Sequence, residues 1–335
     1  MRVLVTGATG YLGWRHAALL RERGHEVTAL ARPGHRERAA ARDLETVSLD
    51  AGGAEARALV AGHDAVLHFA GVPDPAGAAR DPARAVRENA GTTVNLLDGC
   101  AEHGAVLVYP SSARAGVEPP PDAYAMSKRL GEDACLLHAA RAVVLRLTSV
   151  FGPGQVAWEG ATGAIAAFAA RALDGRPISI PGNPRRTRDF LYVDDLVEGV
   201  ERLLEGVRPL ESTPLKGSDP SPPHGLKGSD PSPARGLKGS DPSTRASRGA
   251  PSVLYAGSGV ATPLIDAARL ALDAAGSRFE VETPGGELPP GEDESYALEP
   301  GVPRLALTPR PLPEAVAAYV DWLRLHPAAQ GRARA

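Results

Sequence analysis

The chain is poor in cysteine and carries no marked excess of either charge. Cys100 and Cys135 are its only cysteines among 335 residues, too few for a disulfide framework or a four-ligand zinc site. This scarcity predicts a reducing compartment and no structural metal. With 37 basic and 40 acidic side chains, the formal net charge is -3. The broad positive field that supports non-specific nucleic-acid binding is missing, so nucleic acid is not expected as a partner.

Long apolar runs are also lacking. No stretch approaches the roughly 20 apolar residues that a membrane span needs. The first apolar run covers only Val3 to Val5 before the sequence turns to glycine, which is typical of a strand and not of a signal peptide. We therefore expect a cytoplasmic protein that does not contact a membrane. A length of 335 residues with 43% hydrophobic content allows one large domain or two, with a sizeable core.

Strand-like apolar runs alternate with helical stretches as far as residue 150. The runs are Val3 to Thr6, Glu26 to Leu30, Glu45 to Leu49, Ala65 to Phe69, Ala105 to Tyr109 and Val143 to Leu147. The helical stretches are Tyr11 to Arg23, Ala54 to Ala61, Arg84 to His103 and Tyr124 to Ala140. This alternation predicts a Rossmann-like α/β fold, in which helices cover both faces of a doubly wound parallel sheet.

The alternation fades after residue 150, which indicates a second, smaller lobe. The elements predicted there are helices at Ala161 to Leu173 and Val193 to Glu205 with a turn-rich stretch between them, a strand at Ser252 to Tyr255 and a helix at Thr262 to Ala275. We expect a dinucleotide-binding domain of residues 1–150, with 186–207 and 251–257 packed on it. The substrate lobe is then discontinuous and consists of 151–185 and 258–330.

Between these parts the chain repeats an 11-residue unit three times. The copies are LKGSDPSPPHG at 215–225, LKGSDPSPARG at 226–236 and LKGSDPSTRAS at 237–247. Each copy holds one leucine among glycine, proline and charged residues, too little apolar surface to offset the ordering cost of roughly 1 to 2 kcal/mol per residue. We predict that 208–250 is a disordered insert. A tolerated expansion in a surface loop is favoured over a recognition tail.

A glycine-rich turn stands directly after the first predicted strand. Gly7, Gly10 and Gly13 open the first helix there, a context in which a pyrophosphate reaches backbone N–H groups at a helix N-terminus. At the end of the second strand, where a carboxylate would hold the ribose of NAD, the chain has Ala31 and Arg32. Arginine can pair with a 2'-phosphate, so the site favours NADP over NAD. Asp50, after the third strand, is placed to accept from the adenine amino group.

Three further side chains indicate proton-transfer chemistry. Tyr124 and Lys128 lie four residues apart on a predicted helix and hence on one face, where the ammonium can lower the pKa of the phenol. This pair is typical of a general acid/base. Ser112 supplies a hydroxyl just past the fifth strand, at the sheet edge where doubly wound folds bind ligands.

Eight ordered motifs resemble those of extended short-chain dehydrogenases/reductases of the NAD-dependent epimerase/dehydratase type. They are GATGYLG at 7–13, Asp50 at its strand end, HFAG at 68–71, Asn89 before GTTVNLL, YPSS at 109–112, YAMSK at 124–128, RLTSVFGPG at 146–154 and RDFLYVDD at 188–195. The resemblance covers nearly all of the chain except the repeat insert and the last 50 residues. It is more specific than any single motif.

This resemblance implies roles for individual residues. Tyr124 would exchange a proton with a substrate hydroxyl or carbonyl, Ser112 would bind the same oxygen, and Lys128 would hold the nicotinamide ribose. The cofactor-binding set implied is Gly7, Gly10, Tyr11, Leu12, Gly13, Arg32, Asp50, Ala70, Asn89, Tyr124 and Lys128. The substrate-binding set is Ser112, Ser149 and Arg188, the arginine gripping the diphosphate of a nucleotide sugar. Relatives pair as homodimers through the helices that correspond to 84–103 and 124–140.

Departures from the family pattern narrow the reaction. Ser149 stands where many sugar enzymes have asparagine, and Ala113 and Arg114 replace the Asp-Glu pair that follows the catalytic hydroxyl residue in dehydratases. Dehydration is therefore disfavoured. We expect an NAD(P)-dependent epimerase or ketoreductase acting on a nucleotide-diphosphate sugar. The alternatives are an NADP-dependent reductase of a non-sugar carbonyl and a catalytically idle dinucleotide-binding regulator.

Deleting residues 215–247 should leave the melting temperature and the activity almost unchanged, because the repeats cannot bury a core. Thermal denaturation of the full chain and of the deletion variant checks this expectation. A large fall in either quantity would show that the repeats fold against the enzyme or complete its binding cleft.

Overall fold

A computed structural model describes residues 1–35, 45–160, 163–207, 252–288 and 303–327 of the chain. The predicted disordered insert, 208–250, lies outside the described residues, as does the first part of the predicted helix at Ala161 to Leu173. Within the described ranges, no helix is long and apolar enough to cross a membrane.

The centre of the molecule is a seven-stranded sheet in which all neighbouring strands run parallel. Its order is β3-β2-β1-β4-β5-β6-β10, and its strands are β1 (Arg2–Thr6), β2 (Glu26–Ala31), β3 (Val47–Ser48), β4 (Ala65–His68), β5 (Val106–Ser112), β6 (Arg141–Leu147) and β10 (Ser252–Ala256). In β1 the side chains of Val3 and Val5 enter one core and that of Leu4 enters the other. A strand buried on both faces needs a continuous apolar run, which is the pattern seen in the sequence.

Helices cover both faces of this sheet and build the second lobe. They are α1 (Tyr11–Glu22), α2 (Ala54–Leu59), α3 (Pro75–Arg80), α4 (Pro82–Val86), α5 (Thr92–His103), α6 (Ala123–Leu137), α7 (Ala164–Leu173), α8 (Val193–Val207), α9 (Leu264–Ala275) and α10 (Leu312–Leu325). A π-helical turn at Arg87–Gly91 joins α4 to α5. The predicted Rossmann-like fold is confirmed.

Two small sheets and a separate core form the second lobe. The remaining strands are β7 (Ser149–Phe151), β8 (Ile178–Pro181), β9 (Thr187–Tyr192), β11 (Ala261–Pro263) and β12 (Val281–Gly285), in the orders β11-β9-β7 and β12-β8. The ring of Phe151 meets Phe190, Tyr192 and Tyr319 edge-on at 5.6 to 6.3 Å. These contacts join β7 and β9 to α10 in one apolar cluster.

Several predicted elements differ in detail. The single helix expected at Arg84 to His103 is interrupted by the π-helical turn, and the strand expected at Glu45 to Leu49 is reduced to Val47–Ser48. The prediction of a turn-rich stretch before Val193 was wrong, because this part of the chain contains β8 and β9. The buried positions of β9 include Arg188 and Asp189. Because these residues are charged, the sequence does not show the apolar pattern expected of a strand that is buried along most of its length.

Helix α8 returns from the second lobe to the central sheet. Leu196, Val197 and Val200 of α8 are buried in the same core as Leu20 of α1. The Arg15 guanidinium adds a two-pronged ion pair with Asp194 in the first turn of α8, at 2.7 and 2.9 Å. This geometry is among the stronger forms of ion pair.

A buried histidine in α1 makes the stability depend on pH. Burial lowers the pKa of His16 to about 4 from 6.5. The ring contacts Phe69 at a centroid distance of 4.5 Å, and among the described residues Nε2 has no hydrogen-bond partner. Below pH 6.5 the unfolded chain takes up a proton that the folded chain refuses until about pH 4, so stability is lost as the pH falls through this window.

Replacing His16→Leu should therefore shrink the difference in unfolding free energy between pH 7.5 and pH 5 by about 2 kcal/mol. Urea denaturation at the two pH values measures this difference. The exposed His103→Gln is the matched control and should leave the difference unchanged. An equal pH dependence in wild type and His16→Leu would contradict the account.

Candidate active site

The glycine-rich turn after β1 is a cradle that larger residues would fill. Gly7 has a φ of +65°, and a Cβ there would lie 2.6 Å from the backbone nitrogen of Ala70. A Cβ on Gly13 would lie 2.4 Å from the Gly7 carbonyl oxygen. The turn therefore requires glycine at both positions, one for its conformation and close approach to β4, the other for the contact of α1 with the turn.

The N-terminus of α1 fits a pyrophosphate. Gly10 is its N-cap, no side chain of the described residues caps the helix there, and the first turn contains no acidic residue. Its backbone N–H groups and the positive end of its dipole are thus available to an anion. From β1 the chain adds β2 and β3 on one side of the sheet, and it then adds β4, β5 and β6 on the other side. The glycine-rich turn after β1 therefore lies at the topological switch point, where doubly wound sheets bind ligands.

Beyond the same edge of the sheet lies a cleft of about 370 Å³ between the main sheet and the second lobe. Its walls come from the end of β5, the start of β7, the strand β9 and the helix α7. The polar side chains among its lining residues are Asp74, Ser112, Arg114, Thr148, Ser149, Gln155, Arg188 and Asp189. The predicted substrate-binding residues Ser112, Ser149 and Arg188 all belong to this lining.

Ser112 is a lining residue of the cleft and interacts with Tyr124. Ser112 ends β5 and Tyr124 stands in the first turn of α6. Burial raises the pKa of Tyr124 to about 12, while the bond to Ser112 and the nearby charge of Arg114 lower it. The phenol in this structure is thus protonated at neutral pH.

Lys128 lies one turn further along α6 and is buried. Its Nζ donates to the carbonyl oxygen of Pro110 at 2.9 Å and sits 5.0 Å from the centre of the Tyr109 ring. Burial lowers the pKa of Lys128 to about 8, and the charge of Glu132 opposes this. The charge that acts on Tyr124 most directly is that of Arg114, which forms an ion pair with Asp122 at the N-cap of α6.

Glu132 is a second buried charge on α6. It accepts a hydrogen bond from Ser111 at 2.6 Å and forms an ion pair with Arg146 of β6 at 2.7 Å. A buried carboxylate needs such partners, because an unpaired charge in this position would cost several kcal/mol. Glu132 thereby fixes α6 to the ends of β5 and β6, the strands that position Ser112.

Asn89 holds α6 from the opposite side. Its Oδ1 accepts from the backbone nitrogen of Val72 at 2.9 Å, and its Nδ2 donates to the Val72 carbonyl at 3.2 Å and to Ser127 at 2.8 Å. Ser127 stands between Tyr124 and Lys128. The cofactor role predicted for Asn89 stays a prediction, since in this structure its amide joins the loop after β4 to α6.

The other residues predicted to bind cofactor lie just after β2, β3 and β4 or at the start of α1. Ala70 donates its N–H to Thr6 at 3.2 Å, and Tyr11 and Leu12 begin α1. Asp50 accepts from the N–H of Gly52 at 2.9 Å. Arg32 forms an ion pair with Glu88 at 2.9 Å.

Sequence reasoning assigned no role to Asp74, Glu88, Glu132 or Gln155. Asp74 and Gln155 line the cleft. Glu132 forms an ion pair with Arg146, and Glu88 forms one with Arg32. Glu132 follows Lys128 by four residues, so the helical spacing could have placed it behind the lysine. Glu88 and Arg32 are remote in sequence, and no local pattern connects them.

Comparisons with known proteins show solved structures that are similar to this chain. Solved structures with the same fold include the UDP-glucose 4-epimerase of Thermotoga maritima with UDP-glucose, at a TM-score of 0.72, 21% identity, and coverage of 97% of this chain and 99% of that one. The UDP-glucuronic acid 4-epimerase of Bacillus cereus, in complex with UDP-glucuronic acid and NAD, gives a TM-score of 0.72 at 19% identity, with coverage of 97% and 99%.

Sequence similarity leads to the same group. UDP-glucuronate 4-epimerase 1 of Arabidopsis thaliana is 28% identical over 232 residues, which are 59% of this chain and 53% of that protein. The chain thus spans about half the length of this curated relative. The sequence model of the NAD dependent epimerase/dehydratase family matches residues 3–212. On this match, and with the glycine turn and the cleft at the carboxyl edge of its sheet, the chain belongs to the NAD-dependent epimerase/dehydratase family.

Proposed function

We propose that the protein is a nicotinamide-dinucleotide-dependent epimerase or ketoreductase that acts on a nucleoside-diphosphate sugar. The observation that carries this proposal is the cleft at the carboxyl edge of the sheet, whose lining contains both Ser112 and Arg188. A hydroxyl group and a buried cation thus face one space, and Tyr124, the proposed proton donor, interacts with that hydroxyl group. The similar structures with bound UDP-sugars support the same class of substrate.

Each side chain has a definite task in this chemistry. A bound dinucleotide would supply hydride transfer. Tyr124 gives a proton to the carbonyl oxygen that is being reduced, or takes the hydroxyl proton when the same carbon is oxidised, and Ser112 holds that oxygen by a hydrogen bond. Positive charge at Arg114 favours the phenolate that the oxidative direction requires.

Arg188 is the residue proposed to bind the substrate diphosphate. Its side chain is 8% exposed, and its Nη1 donates to the carbonyl oxygen of Thr187 at 2.8 Å. A buried guanidinium in the cleft wall suits a diphosphate, because charge-assisted hydrogen bonds gain strength away from water. Arg186 is bound instead to the carbonyl oxygens of Pro181 and Asn183 and holds the loop before β9.

Epimerisation or reduction suits the cleft better than dehydration. Removal of water from a sugar requires an acid and a base beside the hydride-transfer site. The residues that follow Ser112 into the cleft are Ala113 and Arg114, and the guanidinium of Arg114 is held by Asp122. A reductase of a non-sugar carbonyl would use the same Ser112, Tyr124 and Lys128 but would give Arg188 a merely structural role.

The cofactor proposed is NAD or NADP. The turn of Gly7, Gly10 and Gly13 suits the pyrophosphate of either dinucleotide. Ala31 and Arg32 alone favour NADP, since no carboxylate at the end of β2 repels a 2'-phosphate. Arg32 is, however, ion-paired with Glu88. We also retain the cytoplasm as the proposed location, with Cys100 and Cys135 as buried free thiols.

A homodimer is proposed from exposed apolar side chains on α6. Met126, Leu130 and Leu137 lie on one face of this helix by their spacing, and Leu137 is 77% exposed. Val94 of the neighbouring α5 is exposed as well. An apolar face of this kind is typical of a protein–protein interface.

The catalytic proposal is tested by Tyr124→Phe. Turnover should fall a hundredfold or more, roughly the contribution of general acid/base catalysis, while dinucleotide affinity stays nearly unchanged. The assay supplies a panel of UDP- and dTDP-sugars with either dinucleotide and follows products by NMR. Tyr255→Phe removes a tyrosine hydroxyl that accepts a hydrogen bond from Arg146. This variant is the control and should keep most of the activity. Retention of more than about a tenth of kcat in Tyr124→Phe would remove Tyr124 from this role.

The dimer is tested by Leu130→Lys. A charge in an apolar interface is costly, so the variant should run at half the mass of the wild-type protein in analytical ultracentrifugation. Leu325→Lys, at a 75% exposed position on α10, is the control and should keep the wild-type mass. A monomeric wild type, or a Leu130→Lys variant of unchanged mass, would contradict the proposal.

A further inference from the structure

An ion pair joins two segments at the carboxyl edge of the sheet, beside the crevice in which a dinucleotide is proposed to bind. Arg32 follows β2 directly, and Glu88 lies in the π-helical turn beyond the end of β4, with Nη2 of Arg32 2.9 Å from Oε2 of Glu88. Strand β1 lies between β2 and β4 in the sheet, so its carboxyl end lies between the ends of these two strands. This end of β1 leads into the glycine-rich turn.

The backbone of Glu88 is fixed at the edge of the sheet. Its carbonyl oxygen accepts a hydrogen bond from Thr92, whose hydroxyl oxygen also lies 3.1 Å from Nε2 of His68, the last residue of β4. The next residue, Asn89, is tied to Val72 on both sides of its amide.

Two arginines keep the Glu88 carboxylate ionised. Arg84 donates to its Oε1 at 2.8 Å, and Arg32 contacts its Oε2. Partial burial opposes ionisation, but the hydrogen bonds from Arg84 and Arg32 outweigh it and hold the pKa of Glu88 below its ordinary value. A negative charge is thus present in the crevice although the end of β2 carries none.

We propose that Glu88 selects NAD over NADP by supplying, from the β4 side of the crevice, the carboxylate that Ala31 lacks at the end of β2. The inference rests on the proposed function, since it assumes that a nicotinamide dinucleotide binds in this crevice. The carboxylate accepts from the adenosine ribose hydroxyl and repels a 2'-phosphate. It also neutralises Arg32, the residue on which the expectation of NADP depended.

The test is a titration of NAD and NADP against the full-length protein, read by binding calorimetry without any sugar substrate. The wild type should bind NAD more tightly than NADP. Glu88→Gln keeps the shape of the side chain but removes its charge, so it should tighten NADP binding about tenfold and leave NAD binding equal or weaker. The preference is then reversed or abolished.

Two further variants separate the charge of Glu88 from a general loss of structure. In Glu88→Gln with Arg32→Ala, the gain in NADP affinity should disappear, because the freed guanidinium is what binds the phosphate. Glu102 lies in α5, the helix that follows the π-helical turn, and pairs with Arg57 of α2. Glu102→Gln removes this carboxylate and should leave both affinities unchanged.

Other outcomes overturn the inference. A wild type that prefers NADP, or a Glu88→Gln variant with an unchanged ratio of the two dissociation constants, shows that Glu88 does not select the cofactor. Those results leave the proposed function intact, because a dinucleotide still binds. Failure of both dinucleotides to bind the wild type would overturn the proposed function together with the inference.

Discussion

The site depends on one buried amide. The side chain of Asn89 uses its acceptor on Val72 and its two donors on Val72 and Ser127, so all of its hydrogen-bonding groups are satisfied away from water. It joins the loop after β4 to the helix that carries Tyr124 and Lys128. A partly satisfied amide in this place would cost about 1 to 3 kcal/mol and would leave the helix less well positioned.

Charge in the site is arranged in pairs around this anchor. Glu132 is almost wholly buried and is matched by Arg146, Arg114 is matched by Asp122, and Arg32 by Glu88. Buried charges without partners are strongly destabilising, so each pair restrains the element that carries it. Tyr124, the proposed proton donor, stands at the start of α6 and interacts with Ser112 at the end of β5.

Much of the central sheet could be predicted because its strands are buried on both faces. Continuous apolar runs such as that of Val3 to Val5 indicate such strands, and the turn from Gly7 to Gly13 carries a local signal of its own. Strand β9 could not be recognised, since Arg188 and Asp189 are buried by tertiary contacts that no periodic pattern reveals.

The candidate site follows the same division. The family resemblance implied that Ser112 and Tyr124 act on the same oxygen atom, and in the structure the two side chains interact. The ion pair of Glu88 with Arg32 escaped prediction, because it joins two segments that are distant in the chain. It is the observation on which we propose NAD, whereas the preference for NADP expected from Arg32 stays a prediction.

The most direct test of the account is a thermal-shift measurement with a dinucleotide and a panel of nucleoside-diphosphate sugars, on the wild type and on Arg188→Met. Ligands that bind only the folded state raise its melting temperature. The account predicts that a dinucleotide raises the Tm of both proteins, and that at least one nucleotide sugar raises it further in the wild type alone. A dinucleotide shift that no nucleotide sugar increases in the wild type would contradict the account, and would indicate a reductase of another carbonyl or a dinucleotide-binding regulator.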